Sequence, residues 1–101
     1  MAALAVVASA IAIATPSQAT STRSTICNVF GRYCTQALNV SWCESRWNVY
    51  ARNGQYLGLF QMGAYARARF GHSWTAYGQS VSALRYFRAA GYSWAPWTCR
   101  P

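Results

Sequence analysis

Glu44 is the one acidic side chain in this 101-residue sequence, set against nine arginines, no lysine and a single histidine. A lone carboxylate can still do chemistry: within one reaction cycle it can give up a proton as an acid and take one back as a base. Schemes that need two carboxylates, or a Ser-His-Asp relay, cannot be assembled from one glutamate and no aspartate. Burial against the apolar Val40 and Trp47 would favour the protonated form that an acid needs, whereas Arg46 and Arg52 would favour the carboxylate. At this level Glu44 is either a reactive acid or the anchor of a buried arginine ion pair.

The other reactive side chains are sulfurs and one imidazole. Cys27, Cys34, Cys43 and Cys99 form an even set without Cys-x-x-Cys spacing, and His72 is the only imidazole to join them. They read as two disulfides rather than as zinc ligands. His72, in Phe70-Gly71-His72, reads as a loop residue without catalytic duty, and neither a metal nor a cofactor is expected.

Apolar spacing and turn residues indicate the elements that place these groups. Tyr33, Ala37, Val40 and Glu44 recur at helical intervals, which predicts a helix over residues 33–45 with the carboxylate at its end on a mostly apolar face. Before it, Ser24-Thr25 caps a short helix through Phe30 that Gly31 closes. Asn53-Gly54, flanked by Tyr50, Tyr56 and Leu57, predicts a small β-hairpin or tight loop over residues 49–57. A short helix runs from about Gly63 to Phe70 and stops at Gly71. Ser73 or Thr75 opens the last helical region, whose body over residues 79–90 turns Ala83, Leu84, Phe87 and Ala90 inward and Arg85 and Arg88 outward. Trp94, Pro96 and Trp97 beside Cys99 predict a tail packed on the body. The expected fold class is mainly α: several short helices around a cleft, with the small hairpin at 49–57.

Residues 1–14 are apolar or small and are followed by Pro16 and the small-x-small sequence Ser17-Gln18-Ala19, so residues 1–19 read as a signal peptide cleaved after Ala19. The apolar run is shorter than the roughly 20 residues of a membrane-spanning helix. Residues 20–24 read as a flexible lead, and residues 25–101 as a single domain. A domain of about eighty residues has a small core, for which two disulfides in an exported protein are the expected staples. The formal net charge of +8 is spread from Arg23 to Arg100 and points to a polyanionic partner. For a secreted chain that partner is an anionic cell-wall polymer rather than nucleic acid, unless the arginines serve only solubility. A monomer without a stable membrane span is expected.

The order Glu44-Ser45, Asn53-Gly54, Tyr56 and Gly58-Leu59-Phe60-Gln61 resembles the signature of the lysozyme-like transglycosylase superfamily. Cys43-Glu44-Ser45, the run from Asn53 to Met62, and Trp94-Ala95-Pro96-Trp97-Thr98-Cys99 are similar to small secreted lysozyme-like proteins of actinobacteria and their phages. The likeness covers residues 29–101. Resuscitation-promoting factors are similar more loosely, through a cysteine directly before the catalytic glutamate and a partner cysteine at the end. The resemblance implies an α+β lysozyme-like fold, with Glu44 catalytic and Gln61 facing it across a cleft. It further implies that Ser45 and Gly58 stand at the substrate site, and that Cys43 pairs with Cys99, leaving Cys27 and Cys34 for each other. A helix-end cap is the alternative role for Ser45, and Tyr56, Trp94 and Trp97 either stack on sugar faces or belong to the core. The implied reaction is lytic cleavage of the β-1,4 bond between N-acetylmuramic acid and N-acetylglucosamine in peptidoglycan glycan strands, leaving 1,6-anhydro ends. The Ala-Tyr-Asn-Ala-Gly segment of larger transglycosylases is absent, so Tyr65, Tyr77 and Tyr86 are the candidates for its tyrosine. Lysozyme-type hydrolysis and a non-catalytic cationic wall-binding module are the alternatives.

Overall fold

The computed structural model describes residues 16–101. Of the signal peptide expected at 1–19, residues 1–15 lie outside the described residues. Four α-helices and one hairpin follow in order: α1 Pro16–Phe30, a 3-10 turn Gly31–Tyr33, α2 Cys34–Ser45, β1 Arg52–Asn53, β2 Tyr56–Leu57, α3 Ala64–Phe70 and α4 Ala76–Ala89. Helix α1 packs on α2 and α4, and α3 packs on α4.

Two expectations about the first helix need correction. Residues 20–24 are helical rather than a flexible lead, and no cap stands at Ser24-Thr25, because α1 runs through both. Thr22 and Ile26 are buried four positions apart, and that one-turn spacing keeps this polar stretch docked on the body. The mainly α class with a small hairpin is as expected.

The core is aromatic. Trp94 is 6% exposed and packs against Phe30, Phe60 and Phe87, with ring centroids 5.6, 6.4 and 4.5 Å away. Burial of each such ring stabilises the fold by about 1.5–3 kcal/mol, and the ring pairs add a little more. Helix α4 turns Ala83 and Phe87 inward and Arg85 and Arg88 outward, as the sequence predicts. Its buried face also holds Gln79, Ser80 and Ser82, which an apolar stripe does not reveal. Thr75 opens the helix, accepting a hydrogen bond from the Gly78 N–H at 3.0 Å.

Both disulfides form: Cys27 with Cys34 across the α1–α2 corner, and Cys43 with Cys99 between the end of α2 and the tail. Among the described residues no helix is long and apolar enough to cross a membrane.

Candidate functional site

Helix α2 ends at Ser45, and the chain then turns sharply through two left-handed residues, Arg46 at φ 54° and Trp47 at φ 61°. Glycine is the usual residue for such a corner, and each side chain placed there costs roughly 1 kcal/mol or more. Trp47 offsets that cost by hooking back on the helix. Its indole N–H donates to Ser41 Oγ at 3.1 Å and to the Leu38 carbonyl at 3.3 Å. Glu44 is left half-buried on the last turn, lining a cleft of about 400 Å³.

The hairpin forms the facing wall. Arg52 pairs with Leu57 and Asn53 with Tyr56, so the two-residue loop is Gly54-Gln55, one position later than an Asn53-Gly54 turn. Only Gly54 carries the positive φ, which leaves Asn53 extended on the strand. Asn53, Gln55 and Tyr56 line the cleft.

Gln61 belongs to a tight return from Leu57 to Met62, whose backbones exchange hydrogen bonds of 3.1 and 3.2 Å. The Gly58-Leu59-Phe60-Gln61 run closes this return because Leu59 and Phe60 are fully buried while Gly58 (φ 79°) and Gln61 (φ 47°) take left-handed corners. Gln61 Nε2 donates to the Gly58 and Ala51 carbonyls at 3.0 and 3.3 Å, which pins the amide at the cleft surface.

The tail supplies the remaining wall through Pro96, Trp97 and Thr98. The Cys99 backbone N–H donates to Glu44 Oε2 at 3.1 Å. Its own disulfide runs to Cys43, the residue before Glu44, so the carboxylate is held from two directions. The Trp97 indole N–H donates to the buried Phe60 carbonyl at 2.9 Å, which fixes the ring as a cleft wall. Tyr86 of α4 packs between Trp97 and Phe70, with centroids 5.0 and 4.9 Å away, and also lines the cleft.

The two arginines expected to compete for Glu44 are engaged elsewhere. Arg46 lies 4.9 Å over the Trp42 ring, and Arg52 5.8 Å over Trp74. No arginine lines the cleft among the described residues.

Of the residues singled out in the sequence, Glu44, Gln61 and Tyr56 meet at the cleft, and three others do not. Ser45 is buried with its hydroxyl donating to the Ser41 carbonyl at 3.1 Å, so it finishes the helix. Gly58 lies against Gln79, whose Cδ would stand 2.6 Å from any Cβ there, so its role is close backbone approach. Trp94 is core and does not line the cleft, its N–H donating to Gln36 Oε1 at 2.8 Å, whereas Trp97, equally buried, does line it.

Trp47, expected beside Glu44, does not line the cleft either. Tyr65 and Tyr86 line it, and Tyr77 does not. His72 lies outside it as well. Burial, and secondarily Arg67, lower its pKa from 6.5, and its buried Nε2 finds no hydrogen-bond partner.

Sequence reasoning missed Gln79, which is 4% exposed. Its Oε1 accepts from the Leu59 N–H at 2.8 Å, while Nε2 donates to the Val49 and Ser73 carbonyls at 3.1 and 2.9 Å. One amide thus clamps three loops behind the cleft, and a polar residue on an otherwise inward helix face was its only signal. Among the described residues no group of three or more His, Cys, Asp or Glu side chains is placed to hold a metal. No protein family, curated protein or solved structure gives a match to the chain.

Proposed function

We propose that this protein is a secreted lytic transglycosylase of lysozyme-like fold that cleaves peptidoglycan with Glu44 as its single acid and base. One observation carries the reading. The only side-chain carboxylate in the sequence stands half-buried on a cleft walled by Gln61, Tyr56, Tyr86 and Trp97, with the nearby arginines turned onto tryptophans. Aromatic walls and a few polar groups suit sugar rings, which present apolar faces and polar edges. Two disulfides suit an oxidising compartment such as the cell exterior.

In this mechanism the Cys99 N–H occupies Oε2, so the transferable proton resides on Oε1. Glu44 gives it to the oxygen bridging N-acetylmuramic acid and N-acetylglucosamine, and that bond breaks with the glucosamine unit leaving as the alcohol. The positive charge developing at the muramic C1 is met by the substrate's own N-acetyl oxygen, a route that needs no second carboxylate. Glu44, now a carboxylate, takes the proton of the muramic C6 hydroxyl as its oxygen bonds to C1. The product is a 1,6-anhydro end, and Glu44 is protonated again for the next cycle.

Digestion of purified peptidoglycan by the native protein and by Glu44→Gln, with the product ends identified by mass spectrometry, tests the reading. Anhydro ends that vanish in the variant are expected. Reducing ends would assign hydrolysis by water instead. Absence of products from both proteins would sink the enzyme and leave a wall-binding module.

A further inference from the structure

Outside the cleft the structure presents a second assembled surface. Tyr50 and Trp74 are 60% and 40% exposed, and their rings stack with centroids 6.1 Å apart and planes 25° from parallel. The Arg52 guanidinium lies over the Trp74 ring, and His72 meets that ring edge-on at 4.7 Å. These two rings are braced rather than loosely hung. The buried Gln79 amide donates to the carbonyls of Val49 and Ser73, the residues immediately before Tyr50 and Trp74, so one side chain sets the spacing of both rings. The Tyr50 N–H is further tied to Asn48 Oδ1 at 2.9 Å. A pair of exposed aromatics with a guanidinium, held by a buried clamp, is preorganised for a ligand with flat apolar faces and negative groups.

We propose that Tyr50, Trp74 and Arg52 bind the continuation of the same glycan strand that enters the cleft. This rests on the peptidoglycan reading above. Adjacency supports it: Asn53 lines the cleft, and Arg52, its neighbour on β1, reaches Trp74 from the opposite face of the same short hairpin, so a strand leaving the cleft reaches the platform by passing over β1. Charge also selects the ligand. The net charge of +8 favours an anionic polymer, while Glu44 in the cleft opposes one with a negative group at every unit of its backbone. A glycan whose carboxylates hang on pendant peptides satisfies both conditions. Its sugar faces rest on Trp74 and Tyr50, and a pendant carboxylate pairs with Arg52.

The test uses Glu44→Gln as the background, so that the polymer is bound and not cut. Affinities are measured for peptidoglycan strands longer than the cleft, for the muramyl disaccharide alone, and for a single-stranded oligonucleotide. Adding Trp74→Ala is expected to weaken long-strand binding roughly tenfold, the equivalent of one lost stacking contact. Arg52→Gln is expected to weaken it severalfold and to flatten its salt dependence, and as a change to an exposed side chain it leaves the fold intact. Both variants should bind the disaccharide as the background does. Long-strand affinity unchanged by Trp74→Ala, equal losses on strand and disaccharide, or tighter Trp74-dependent binding of the oligonucleotide would each overturn the platform. If disaccharide and strand bind the background protein equally, the platform alone falls. If neither binds, the transglycosylase reading falls with it.

Discussion

The two walls of the cleft are built by opposite means. The tail wall is covalent and apolar: Cys99 is bridged to Cys43, Trp97 is buried against Tyr86 and bonded to the Phe60 carbonyl, and Arg100 donates to the Trp94 and Trp97 carbonyls. The hairpin wall is short, largely exposed and tied by polar side chains. Gln61 donates to Ala51 and Gly58, Gln55 accepts from the Ala64 N–H, and Arg67 donates to the Gln55 and Met62 carbonyls. The difference places rigidity where Glu44 is oriented. It leaves the hairpin wall, whose polar ties are exposed to competition from water, as the one with the lower expected local stability.

Cutting the covalent wall should have the largest effect. Cys43→Ser with Cys99→Ser opens a loop between residues 56 apart in sequence, and denaturant unfolding should show a loss of about 4 kcal/mol. Cys27→Ser with Cys34→Ser, a separation of 7, should cost about 2.5 kcal/mol and leave Trp97 fluorescence native, because that bridge does not touch the cleft. Equal losses from the two pairs would erase the contrast.

Next in size is Gly58→Ala, which places a side chain at φ 79° against Gln79 and should cost about 2 kcal/mol in thermal or chemical denaturation. A neutral result would mean that the clamp behind the hairpin yields easily. Gln55→Ala removes the acceptor for the Ala64 N–H at 2.9 Å and should cost only about 1 kcal/mol, seen as faster amide exchange at the start of α3 with the tail amides unchanged.

The smallest effect is one of pH. Burial first, and Arg67 second, hold the His72 pKa below 6.5 in the folded protein, so the unfolded chain takes up the proton more readily. Its contribution to stability is complete above pH 6.5 and is lost as pH falls through the lower folded value. His72→Gln should flatten that part of the stability profile, and an unchanged slope would show that another group governs it.

Much of the helical frame was legible because it rests on local rules. The intervals between Tyr33, Ala37, Val40 and Glu44 are those of one helix face, and that helix is present. Gly71 and Gly91 lie just beyond α3 and α4 with positive φ, as helix-ending glycines do. The docking of residues 20–24 was not legible. Thr22 lies in a polar run, and it is buried on a helix that packs against α2 and α4, elements set well apart from it in the chain. The site divided in the same way. Trp94 and Trp97 are three residues apart, of one type and both buried, and no local rule says which of them borders the cleft; the reach of Trp97 to the Phe60 carbonyl and of Trp94 to Gln36 decided it. Arg46 and Arg52 carry the right charge to pair with Glu44, and the positions of Trp42 and Trp74 drew them away.

By itself the sequence determined that there is one side-chain carboxylate, that it stands at the end of a helix, that four cysteines are available to pair, and that the surface is strongly cationic. These are facts of composition and short-range periodicity, which fold down to no distance longer than a few turns. Tertiary structure alone decided which residues face Glu44, that its Oε2 is met by the Cys99 N–H rather than by an arginine, and that Gln79 braces the loops around it. Such contacts join residues 20 to 55 positions apart, where chain connectivity no longer limits the choice of partner and only the packing of the whole core selects it.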